Sequence, residues 1–166
     1  MNDKIKVFES EYLIYELMPN SNLEFVLKEF NHIEQLVKNE SEWESYPEWL
    51  EYLSNRPIGK KPNNNNFNDT DFICLIRDNN LIKIENIEIV ADESGIFATN
   101  ILDSEIYGNK QFCIIFSSND NFVSDISIIP FEQEKMITLD EIKNKIRFIL
   151  EKYNLIFVDW SERKVI

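Results

Sequence analysis

Between residues 72 and 129 the apolar residues come in short runs broken by Asp, Asn and Ser, whereas the flanking segments carry apolar residues at spacings of three and four. Short apolar runs bounded by turn formers read as strands, and a three–four spacing reads as helix. A chain with helices on either side of a block of strands is expected to be α+β: a mostly antiparallel sheet with two or three helices packed on one face. With 166 residues it is expected to form a single domain over 1–166 and to bury a core without disulfide or metal staples.

In chain order, residues 4–17 (KIKVFESEYLIYEL) read as two short strands or one bent strand, closed by Pro19-Asn20. Ser21 and Glu24 have capping-box spacing and open a helix to about residue 38, with Leu23, Val26, Leu27, Phe30, Ile33 and Val37 on one stripe. Ser45 and Glu48, with Pro47 in the first turn, open a shorter helix. Tyr46, Trp49, Leu50 and Leu53 share one face of it, while Glu48, Glu51 and Tyr52 point elsewhere. Residues 55–71 (NRPIGKKPNNNNFNDTD) read as a flexible loop, given two prolines, a glycine and an asparagine run. FICLIR (72–77), the turn at 78–80 and LIKIENIEIV (81–90) read as a pair of strands, with a bulge near Asn86. Strands follow at 111–116 and 122–129, joined by a turn at 117–121. Thr138 and Glu141 start a helix to about residue 153, and LIFVDW (155–160) is the last strand. Cys74 and Cys113 both lie in apolar runs and read as buried, reduced thiols.

Several chemistries lack their residues. The three glycines, Gly59, Gly95 and Gly108, are far apart, which excludes a glycine-rich phosphate loop. The single histidine, His32, lies off the stripe of its helix and reads as a surface residue. One histidine and no CxxC pair leave no two-histidine metal motif and no structural zinc site. No serine or cysteine has a nucleophile-elbow context. Asp69 and Asp71 have the spacing that opens an EF-hand loop, but Cys74 stands where the glycine is needed. The expectation is therefore no catalytic residue, no metal and no cofactor: a binding protein rather than an enzyme.

Charge says more. The 30 acidic and 17 basic residues give a net charge of −13, a field that repels nucleic acid and anionic membranes and attracts cationic partners. No apolar run reaches membrane-spanning length, and the first residues lack the apolar core of a signal peptide, so a cytoplasmic location is expected. The net acidic character belongs to the first two-thirds of the chain, because Lys135, Lys143, Lys145, Arg147, Lys152, Arg163 and Lys164 balance the acids from Glu132 onward. Two candidate partner-binding surfaces stand out. One is Glu40, Glu42, Trp43, Glu44, Glu48 and Trp49, where carboxylates alternate with aromatic anchors. The other is Asp92, Glu93, Asp103 and Glu105, in turns between strands.

The segment NESEWESYPEWLEYL (39–53), the acidity and the asparagine- and isoleucine-rich composition together resemble the immunity proteins of bacterial polymorphic-toxin systems, contact-dependent growth inhibition among them. The PEWL segment is also similar to immunity proteins related to yeast cell-wall assembly regulators, although that group's glycine-containing motifs are absent here. The resemblance implies a cytoplasmic monomer or weak homodimer that binds a cognate basic nuclease-type toxin domain and blocks its active site or substrate cleft. The alternatives are a DNA-mimic protein of the anti-restriction type and a carboxylate-based, metal-dependent enzyme.

Overall fold

The computed structural model describes residues 5–8, 14–39, 48–55, 67–85, 87–90, 104–131 and 137–166. Its centre is a seven-stranded antiparallel sheet in the order β3-β5-β6-β7-β2-β8-β9. These strands are β2 (Tyr15–Pro19), β3 (Ile82–Lys83), β5 (Glu105–Gly108), β6 (Phe112–Asn119), β7 (Phe122–Pro130), β8 (Leu155–Asp159) and β9 (Lys164–Val165). A separate pair, β1 (Ile5–Phe8) with β4 (Ile87–Val90), runs parallel. The helices are α1 (Leu23–Asn39), α2 (Glu48–Asn55), α3 (Asp69–Asp78), α4 (Leu139–Lys145) and α5 (Arg147–Tyr153). The α+β class and the antiparallel sheet are as expected.

Strand alternation divides the core in two. Leu17 of β2 and Leu155 and Phe157 of β8 join Phe72 and Ile76 of α3 and Ile142, Ile149 and Leu150 of α4 and α5. Met18 and Val158, at the alternate strand positions, and Trp160 just past β8 point the other way, onto Val26, Phe30 and Ile33 of α1 and Leu53 of α2. Helices α3, α4 and α5 thus cover one face of the sheet, whereas the sequence pattern places the helices at 21–38, after Ser45 and at 138–153 together on one face. Two more, α1 and α2, cover the opposite face at the β2–β8 end, because those strands are apolar on both sides.

Local chemistry sets most element ends. Thr138 and Glu141 form the expected capping box, with the Glu141 amide donating to Thr138 Oγ1 at 3.2 Å and the Thr138 amide to Glu141 Oε2 at 2.9 Å. The helix expected to run unbroken to residue 153 is interrupted at Ile146, whose φ of −101° and ψ of 8° separate α4 from α5 while its side chain stays in the stripe. The β6–β7 hairpin turns on Asp120 (φ 51°) and Asn121 (φ 66°), the pair of left-handed residues that a type I′ turn requires. A bulge follows at Ser117/Ser118, where the Ser117 and Ser124 hydroxyls meet at 2.8 Å.

Residues 72–77 correct the sequence expectation: they belong to α3, not to a strand. The Asn68 side chain accepts from the amides of Thr70 (2.9 Å) and Asp71 (3.3 Å) and so caps the helix. Asp69 and Asp71 sit in its first turn, where the helix dipole favours carboxylates. At the other end Asn80 (φ 63°) closes a Schellman motif, with the Leu81 amide on the Ile76 carbonyl and the Asn80 amide on that of Arg77. Phe72 and Ile76, four apart, are fully buried, and Cys74 is turned outward. The helix also begins inside the stretch expected as loop (55–71); residues 56–66 lie outside the described ones. Residues 81–90 split as well: β3 belongs to the large sheet and β4 pairs with β1.

The two thiols therefore differ, contrary to the expectation that both are buried: Cys113 is buried on β6 and Cys74 is exposed on α3. An Ellman titration of the native protein should count one reactive thiol, removed by Cys74→Ser, and two after unfolding. Two slow thiols in the native state would restore the strand reading of residues 72–77.

Candidate functional site

Helix α2 presents the described part of the first acidic-aromatic surface. Glu48 and Glu51 are exposed, and no basic residue occurs on the helix. Trp49 and Tyr52 are half-buried against the α1 cluster, and Leu53 is buried within it. Tyr52 faces α1 rather than pointing away, because a polar clasp holds it there. Its hydroxyl donates to Glu29 Oε2 at 2.6 Å, and its ring meets that of His32 at 4.6 Å. The single histidine is thus an exposed residue whose ring packs at a tilt, 60° between planes, against an aromatic ring. Glu40, Glu42, Trp43 and Glu44 lie outside the described residues.

Charge on this face is uneven. On α1, Glu24 pairs with Lys28 (2.8 Å) and Glu34 with Lys38 (3.0 Å), each an exposed i,i+4 pair. Hydrogen bonding to the lysine holds both carboxyls below the usual glutamate range. Glu29 is engaged by Tyr52. Helix α2 adds Glu48 and Glu51 to this face and carries no basic residue of its own.

Of the second surface only Glu105 is described; Asp92, Glu93 and Asp103 are not. Glu105 lies on β5 and binds Lys83 of β3 at 2.7 Å, so its charge is matched within the fold. That hydrogen bond holds the Lys83 ammonium above its ordinary pKa. Glu105 shares strand parity with Tyr107 and so lies on the α3–α5 side of the sheet, opposite α2. Strands β6 and β7 separate β5 from β2, about 14 Å at the usual strand spacing. Glu48 and Glu105 do not share one surface.

The fold also assembles a patch that the sequence did not single out. The Asp69 amide donates to the Asn121 carbonyl at 3.0 Å, and Asn68 bridges to Phe122, docking the start of α3 on the β6–β7 turn. Asp69, Asp71 and Asp120 thereby come to the same end of the sheet as Phe122, which is 50% exposed. The Asp120-Asn121 turn was legible; its union with Asp69 depends on a bridge between distant segments.

Among the described residues two carboxylates are buried. Glu16 Oε2 accepts the Trp160 indole N–H at 3.0 Å. Asp159 Oδ1 accepts the Ser161 hydroxyl (2.7 Å) and the Glu162 amide (3.0 Å), closing the turn into β9, with Lys164 at 3.8 Å from Oδ2. Both are bound into strand ends and read as structural. Among the described residues no group of three or more His, Cys, Asp and Glu is placed to hold a metal ion, and no helix is long and apolar enough to cross a membrane. Asp69 and Asp71 stand in a helical turn rather than in an EF-hand loop.

No protein-family model matches the chain, and neither a curated protein nor a solved structure matches it. The geometry alone defines the class: an α+β sheet protein whose described surface offers carboxylates beside anchored aromatic rings.

Tyr15 and Tyr153 give this account a pH signature. Burial, then the nearby charges of Asp159 and Glu162, push the Tyr15 phenol above the ordinary tyrosine pKa; burial and Asp71 do the same for Tyr153. The unfolded chain ionises first, so their stabilising contribution is intact below about pH 10 and is lost as pH rises through the folded values. Phenolate absorbance should show a late-titrating group that Tyr15→Phe removes. Loss of an early-titrating group instead would contradict the packing of β2 against β8.

Proposed function

We propose that this chain is a cytoplasmic immunity-type protein, which binds a cognate basic nuclease-type toxin domain and neutralises it by blocking its active site or substrate cleft. The observation that carries the reading is α2: exposed Glu48 and Glu51 on a helix without a basic residue, rooted by Trp49, Tyr52 and Leu53 in the α1 core. A carboxylate-bearing helix fixed in this way keeps its charges in place before the partner arrives, so little order has to be imposed on binding. In a chain of net charge −13, such a surface steers a basic cleft toward it and stands where the phosphate backbone would lie. The acidic-aromatic segment just before α2 extends the same chemistry along the sequence. The protein is not catalytic in this reading, and needs neither metal nor cofactor.

Co-expression with the product of the gene immediately upstream, followed by affinity capture, is the direct test. A stoichiometric complex with a basic domain that is toxic when expressed alone supports the proposal; no partner at low salt sinks it. With the complex in hand, Glu48→Lys combined with Glu51→Lys should slow association about tenfold or more at low ionic strength, and the difference should shrink in high salt. Because both side chains are exposed, the melting temperature should stay near the native value. Equal association rates for the variant and the native protein would remove α2 from the interface.

A further inference from the structure

On the opposite side of the sheet from α2, at its β3 edge, lies a hollow with the reverse charge character. Arg77, in the last turn of α3, and Lys83 of β3 line it together with Leu81, Ile82 and Tyr107. Its volume is about 380 Å³, in the lower range for pockets that take small ligands. Leu81 and Tyr107 are almost fully buried and form a fixed apolar floor, whereas Ile82 is 68% exposed at the rim. Two cations meeting over such a floor, in a chain with nearly twice as many acids as bases, set a specific demand: one anionic group with an apolar body behind it.

The fold already displays the recognition chemistry. The Glu105 carboxylate sits on Lys83 at 2.7 Å, from the neighbouring strand and the same face of the sheet. It neutralises one of the two cations and leaves the Arg77 guanidinium, a planar fork suited to bidentate carboxylate binding. Lys83 is held at its place by this pair, and the Schellman turn that ends α3 fixes the backbone from which Arg77 projects. Neither has to be ordered from a loop when a ligand arrives.

We propose that the hollow between the C-terminal end of α3 and the β3–β5 edge binds a carboxylate carried on a small branched or aromatic body. Arg77 takes the carboxylate, Lys83 shares it in exchange with Glu105, and the body lies on Leu81, Ile82 and Tyr107. The site is independent of the acidic surface of α2 and of the toxin partner.

The test is a titration of the isotope-labelled full chain with 3-phenylpropionate and, separately, with its amide, followed by amide chemical shifts. The carboxylate should give saturable shifts centred on Arg77 and on residues 81–83 and 107, and the amide should not. Arg77→Gln should weaken the affinity about tenfold, the usual scale of a lost charge-assisted contact. Glu105→Gln, which releases Lys83, should strengthen it. No saturable shift, equal response to acid and amide, or unchanged affinity in Arg77→Gln would each overturn the proposal. Arg77 is exposed and Glu105 is only half-buried, so both variants should keep the native spectrum elsewhere.

Discussion

The pairing of β2 with β8 is the constraint on which the rest of the structure depends. Five residues are in register, from Tyr15 opposite Asp159 to Pro19 opposite Leu155, joining the first strand of the large sheet to its C-terminal part. Because successive side chains alternate, the same five positions supply both cores: Leu17 and Phe157 to one, Met18 and Val158 to the other. A slip of one residue would exchange the two sets and set Glu16 among the aliphatic side chains of α3–α5. In the native register Glu16 faces Trp160, whose indole satisfies its carboxylate, and Phe30 packs edge-on against that indole at 5.4 Å. The buried hydrogen bond adds little to net stability, but leaving either group unpaired would cost more, about 1–3 kcal/mol. It therefore acts mainly on register.

How much of this was legible depended on where periodicity had only one interpretation. Helix α1, with Val26, Phe30 and Ile33 at helical spacing, and β6, with its unbroken Phe112–Phe116 run, could be read directly. Residues 72–77 could not, because a six-residue apolar run suits a strand or a helix and the deciding signal lay outside it. That signal is Asn68 as a cap, easily lost at the end of an asparagine run, and the Asn79-Asn80 ending. The division of helices between two faces was hidden for a different reason. Doubly apolar strands such as LIFV show burial on both sides but not what lies on each side.

The candidate surfaces divide along the same line. Exposure of Glu48 and anchoring of Trp49 follow from helical spacing within a few residues. Helical spacing turns Tyr52 away from the core, whereas its partner Glu29, on another helix, draws it in. The matching of Glu105 by Lys83 requires β3 and β5 to be neighbours, which no local pattern reports. Charge also has a structural use at the sheet margins. Both edge strands, β3 and β9, are two residues long and carry a lysine, Lys83 and Lys164, an arrangement that discourages pairing with another chain.

The measurement that tests this account most directly is native-state hydrogen exchange. If the β2–β8 register holds both cores together, the amides of β2 and β8 should exchange as slowly as those of β6 and β7, with one common opening free energy. Fast exchange in β2 and β8 beside slow exchange in β6 and β7 would contradict it. The α1–α2 layer would then be a separate unit resting on a sheet that is stable without it.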